Sequence, residues 1–150
     1  MSERNPFRPR KSVAKHGRGK NKRRTFEAKK PTADEPLQPL PPPTSARELV
    51  VVVIEEYKLT KTFLSELFDR QDLDLSDQDR RLSVEIATGI VRREVTLDRV
   101  LTTFVARPKQ QVEARLWTLL QLGAYQLLMM DRIPSHAAVS ETVDLTKWMR

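Results

Sequence analysis

The sequence predicts an all-α bundle preceded by a disordered basic tail. Three observations carry that reading. From Ser45 onward, apolar residues recur at three- and four-residue steps, and no strand signal of weight competes. Eight of the ten prolines fall in residues 1–43, a stretch with only nine hydrophobic residues. Charge is segregated in the same way. The chain as a whole is +7, from 27 Lys+Arg against 20 Asp+Glu; the first 30 residues carry +10 and the remaining 120 carry −3. A chain of 150 residues has room for one domain and a tail. We place the tail at 1–43 and the folded domain at 44–150.

The tail has no apolar period, and it cannot bury enough surface to offset the entropy of ordering it. Pro36 to Pro43 (PLQPLPPP) reads as an extended spacer of polyproline type. The cluster Lys20, Lys22, Arg23 and Arg24 is the densest positive charge, and Phe7 and Phe26 lie among the cations. Aromatics between cations suit stacking on unpaired bases, so an RNA- or ribosome-binding arm is the leading reading. A solvated cationic arm without a specific partner is the plain alternative. A nuclear address (KNKRR) and a mitochondrial transit peptide fit less well, since the tail lacks the amphipathic apolar face of the latter.

The helices follow in order. Ser45-Ala-Arg-Glu48 has the form of a capping box and opens a first helix over 46–58. Its run Leu49 to Ile54 is β-branched, but Glu55-Glu56-Tyr57 continues it without a turn signal. Phe63, Leu64, Leu67 and Phe68 form a second stripe. Asp69 to Asp77 is a polar link whose Ser76 or Asp77 caps a third helix, with Leu82, Ile86 and Ile90 on one face, ending near Glu94. Leu97, Val100, Leu101, Phe104 and Val105 form a fourth, stopped by Pro108. A long fifth helix has Val112, Leu116, Leu119, Gly123, Leu127 and Met130 at helical steps. A glycine inside it costs about 1 kcal/mol against alanine, which a close helix contact would explain. After a turn over Asp131 to Ser135, Pro134 opens a last helix running to Arg150.

Several chemistries are excluded by composition. Without cysteine there is no disulfide, thiolate nucleophile or Cys-ligated zinc, and His16 and His136 are too few for a histidine-built metal site. Asp72, Asp74, Asp77 and Asp79 invite a calcium loop, but its sixth position would be Asp79 where the turn needs glycine. Ser135 and His136 are neighbours at a helix start and do not point at one another, so no nucleophile–base pair is expected. There is no glycine-rich phosphate loop. The expectation is no catalytic residue, no metal and no cofactor. The longest apolar run, Leu49 to Ile54, is far below the ~18 residues of a membrane span, so the chain is expected to be soluble and cytoplasmic.

Three stretches carry a family resemblance: Ile86 to Asp98 (IATGIVRREVTLD), Gln121 to Pro134 (QLGAYQLLMMDRIP) and Ser135 to Val143 (SHAAVSETV). Together with Ala46-Arg47, they resemble the NusB-type RNA-binding domain over about 44–150. Two branches of that family matter. One is the free-standing transcription antitermination factor; the other is the N-terminal domain of the RsmB (Sun/Fmu) 16S ribosomal RNA cytosine-5 methyltransferases. Val105-Ala-Arg107-Pro108, Gly123 to Leu128 and Arg132 to Ala138 are more similar to the methyltransferase branch.

The resemblance implies a NusB-type helical bundle that binds RNA, with ribosomal RNA the expected target and a ribosomal protein or a methyltransferase domain as further partners. It implies RNA contact at Arg47; Lys20, Lys22, Arg23 and Arg24 are added from charge density alone. The methyltransferase branch carries catalysis in a C-terminal S-adenosylmethionine domain with two active-site cysteines. This chain has no cysteine, and no enzyme activity is expected of it as it stands. The family fold also continues with a helix of the form Gly-x-Val-Asn-x-Val-Leu-Arg, which is not found before Arg150. The expectation is a truncated gene or a fragment lacking its last helix, with an apolar groove left uncovered.

Overall fold

The computed structural model describes residues 38–71 and 73–150. Among them are six α-helices: α1 (Ala46–Thr60), α2 (Leu64–Asp69), α3 (Asp77–Arg92), α4 (Glu94–Phe104), α5 (Ala114–Met129) and α6 (Ser135–Trp148). One turn of 3-10 helix, Lys109–Gln111, follows Pro108, and the described residues contain no strand. The class is all-α, as the periodicity implies.

Local chemistry sets the helix starts. The Ser45 hydroxyl accepts from the Glu48 amide, and the Glu48 carboxylate accepts from the amides of Ser45 and Thr44, so the capping box is complete. Ser76 caps α3 through the Asp79 amide, leaving Asp77 and Asp79 in the first turn, where the helix dipole favours them. Pro134 stands just before α6. The break between α3 and α4 is a single residue. Arg93 leaves helical geometry (φ −114°, ψ 17°), while its amide still bonds to the carbonyls of Gly89 and Ile90.

The β-branched run of α1 is helical because nearly all of it is buried. Val50, Val51, Val53 and Ile54 have no exposed surface and join Leu67, Ile86, Leu97, Leu119 and Leu122 in one core. α5 is central; it packs against α1, α3, α4 and α6. Its buried side differs from the stripe expected of it. Leu116 and Leu127 are exposed, whereas Arg115, Trp117, Thr118, Gln121 and Gln126 are buried. Counting apolar residues missed this, because an interior helix can face its neighbours with polar side chains when each is hydrogen-bonded. The helix also begins at Ala114, after the 3-10 turn, so Val112 lies outside it.

Two glycines explain close packing. A Cβ on Gly123 would sit 3.1 Å from the Thr142 hydroxyl, so α5 and α6 meet where the sequence suggested a close contact. Gly89 is tighter, because a Cβ there would overlap the ring and hydroxyl of Tyr125. Overpacking of that kind costs about 1–3 kcal/mol. Gly89→Ala therefore lowers stability by that amount despite its better helix propensity, a change that urea denaturation measures.

Residues 38–43 have no regular structure but are held against the bundle. Arg115 donates to the Gln38 carbonyl at 2.9 Å, and Leu40 packs on the core. On the opposite account, Leu127 and Leu128 of α5 and Val139 and Val143 of α6 are each about half exposed, so both helices carry apolar surface to solvent. The Trp148 indole nitrogen, by contrast, is buried without a hydrogen-bond partner among the described residues.

Candidate nucleic-acid interface

Of the five candidate RNA contacts, Lys20, Lys22, Arg23 and Arg24 lie outside the described residues. Arg47 is in the first turn of α1, and its side chain is fixed. Nε donates to Gln126 Oε1 at 2.8 Å, and Nη1 lies 3.7 Å from Glu141 Oε2. Gln126 is fully buried on α5, and its amide donates in turn to the Leu122 carbonyl. The guanidinium is thus aimed by a buried partner, with 18% of its side-chain surface left open.

Arg47 lines an open cleft of about 820 Å³ between the start of α1, the first half of α3 and the α5–α6 turn. Arg81 and Arg132 also line it, with Asp77, Asp79 and Glu85. Arg132 is ion-paired with Glu85. Arg81 is exposed and makes no ion pair among the described residues. Three guanidinium groups meet three carboxylates here, so the cleft is formally neutral. It adds little long-range attraction, yet it presents planar donors beside acceptors, the group types that bind phosphates and base edges respectively.

Sequence reasoning missed Arg81 and passed over Arg132. Neither has a local signal, and the fold brings them to Arg47 from across the chain. The motif stretches did hold part of the answer, because Arg47, Gln126, Arg132 and Glu141 all lie within them.

At the other end of α1 is a second polar cluster. Lys58 Nζ donates to Thr118 Oγ1 at 2.8 Å and to Gln121 Oε1 at 3.1 Å. Asp98 accepts from Trp117 Nε1 at 2.7 Å, from Gln121 Nε2 at 2.8 Å and from Lys109. Burial pushes the Lys58 ammonium below the usual lysine range, although Glu94 opposes the shift. For Asp98, burial raises the carboxyl, but the bonds from Lys109, Trp117 and Gln121 outweigh it and hold the group below the usual carboxylate range. Every member of the cluster is satisfied internally, so its evident work is to tie α1, α4 and α5 together.

Among the described residues, no group of three or more His, Asp or Glu is placed to hold a metal ion. His136 is exposed at the start of α6. No helix among the described residues is long and apolar enough to cross a membrane.

The model of the NusB family matches residues 44–150. The chain belongs to the NusB family. Its relatives in sequence are longer proteins. It is 36% identical over 105 residues to a probable ribosomal RNA small subunit methyltransferase B of Synechocystis sp. PCC 6803, covering 69% of this chain and 24% of that one. It is 29% identical over 106 residues to a probable ribosomal RNA small subunit methyltransferase B of Bacillus subtilis, covering 69% and 24%. It is 33% identical over 98 residues to a ribosomal RNA small subunit methyltransferase B of Escherichia coli O1:K1, covering 65% and 23%. The chain thus spans about a quarter of the length of the curated relatives it matches. No solved structure matches it. Within the NusB family the likeness is therefore to members attached to methyltransferases, which agrees with the branch that the motifs favour.

Proposed function

We propose that the chain is the RNA-binding NusB-like module of an RsmB-type ribosomal RNA methyltransferase system, without catalysis of its own. The observation that carries this is Arg47, a guanidinium aimed by buried Gln126 into a cleft with Arg81 and Arg132. The names of the relatives point to small-subunit ribosomal RNA as the target. The +10 of residues 1–30 supplies the attraction, through Lys20, Lys22, Arg23 and Arg24 among others, and the neutral cleft supplies orientation. The tail of 1–43 and the domain of 44–150 divide the work in that way.

The test is equilibrium binding of a labelled small-subunit ribosomal RNA fragment across a salt series. The chain shortened to begin at Pro31, which removes the +10 and keeps Gln38 and Leu40, loses most of the salt dependence, since a single strand contributes a slope of about 0.7 per neutralised phosphate. Arg47→Ala lowers affinity about ten- to hundredfold, the worth of a charge-assisted hydrogen bond. Equal affinity and slope in both variants overturns the proposal.

The second reading is an adaptor of transcription antitermination type that docks a protein. It is favoured by the apolar surface of α5 and α6 at Leu127, Leu128, Val139 and Val143. Pull-down with and without nuclease separates the two, because capture that survives nuclease belongs to a protein partner.

A further inference from the structure

Formal charge along the sequence changes sign between the α2–α3 segment and the α3–α4 segment. Residues 66–85 hold seven carboxylates against three arginines. Residues 86–107 hold Arg92, Arg93, Arg99 and Arg107 against Glu94 and Asp98, and Asp98 is engaged with Lys109, Trp117 and Gln121.

The helical geometry puts part of this charge on a line. Ser83, Ile86, Ala87 and Ile90 form the buried face of α3. Arg92 comes nine residues after Ser83, half a turn round the helix from it. Arg81, Glu85, Thr88 and Arg92 therefore share the outward face, which starts at the cleft. Glu85 on that face is neutralised by Arg132. Arg81 and Arg92 are separated by about 16 Å along the axis. Arg93 marks the corner into α4, where Arg99 stands opposite buried Leu97 and Leu101 and points to solvent. Arg92, Arg93 and Arg99 are all exposed, and none makes an ion pair or side-chain hydrogen bond among the described residues. Exposed guanidinium groups left without carboxylates, two at the end of α3 and one on the following helix, match a chain of phosphates better than a folded acidic protein, because each fork takes two oxygens of one phosphate.

We infer that Arg92, Arg93 and Arg99 form a second anchor for the sugar–phosphate backbone of the RNA held at the cleft, reached along the outer face of α3. The inference rests on the RNA-binding reading and extends it. The cleft orients one part of the strand, and the α3–α4 corner grips a part further along without reading sequence.

The test uses the full chain and two single-stranded RNAs, one of about 3 nucleotides, too short to reach from Arg81 to Arg92 at about 3.4 Å per stacked nucleotide, and one of about 20. The variant is Arg92→Ala with Arg93→Ala and Arg99→Ala; all three side chains are exposed, and an unchanged melting temperature verifies the fold. On the long RNA, the salt slope falls by about 2 and affinity drops at least tenfold, while the short RNA is unaffected. Substituting lysine at the three positions restores the slope. Unchanged binding to the long RNA, or equal losses on both lengths, overturns the second anchor while leaving the cleft reading intact if Arg47→Ala still weakens both. No binding of either RNA by the unaltered chain overturns the cleft reading and the anchor together.

Discussion

Arg115→Ala destabilises the bundle by about 3 kcal/mol, near the low end for breaking a buried ion pair. Arg115 is almost fully buried on α5 and bonds in a fork to Glu55 of α1, Nε to Oε1 at 2.6 Å and Nη2 to Oε2 at 3.0 Å. Removing the guanidinium leaves the carboxylate desolvated without its partner, and that residual charge is the larger part of the cost. The same Nη2 holds the Gln38 carbonyl, so the substitution also frees residues 38–43. Two measurements check this: the urea midpoint, and the NMR order parameter of the Leu40 methyl groups, which falls. Replacing the pair together, Arg115→Met with Glu55→Met, recovers most of the loss, because neither charge is then left alone. If the double variant is no better than the single one, the shape of the fork matters more than its charge.

Asp98→Ala has an effect of similar size, about 3 kcal/mol, for a different reason. It leaves two buried donors, the Trp117 indole and the Gln121 amide, without their acceptor, and each orphaned group costs about 1–3 kcal/mol. Asp98→Asn keeps an acceptor but loses the charge facing Lys109, so it costs less. The pH dependence follows from the carboxyl being held below its usual range. A group whose folded pKa is depressed stabilises fully above its unfolded value, near 3.9, and loses that contribution as pH falls through the folded value. The difference between the native chain and Asp98→Asn is thus complete at neutral pH and shrinks below about pH 4. A constant difference from pH 7 to pH 3 would contradict the role given to the charge.

Both residues mark the limit of what the sequence revealed. The helices themselves were legible, since their starts depend on short-range chemistry: Ser45 with Glu48, Ser76 with Asp79, and Pro134 before α6. Gly123 announced a close contact because a mid-helix glycine is costly without one. The face of α5 was not legible. Arg115, Gln121 and Gln126 are polar, so a count of apolar steps places them outside, and their partners Glu55, Asp98 and Arg47 lie on other helices. The site divides in the same manner. Arg47 was found through a resemblance, whereas Arg81 and Arg132 join it only through the fold.

The bonds between α1 and α5 have a consequence for the newborn chain. Glu55 meets Arg115, Lys58 meets Gln121 and Arg47 meets Gln126 across 60, 63 and 79 residues. At about 5–20 residues per second, a ribosome takes roughly 3–16 s to make the second partner after the first. During that interval α1 is synthesised and apolar but has only α2 and α3 to cover it. The seconds between the synthesis of α1 and that of α5, more than any earlier step, decide whether Val50 to Ile54 end inside this bundle or against another nascent chain.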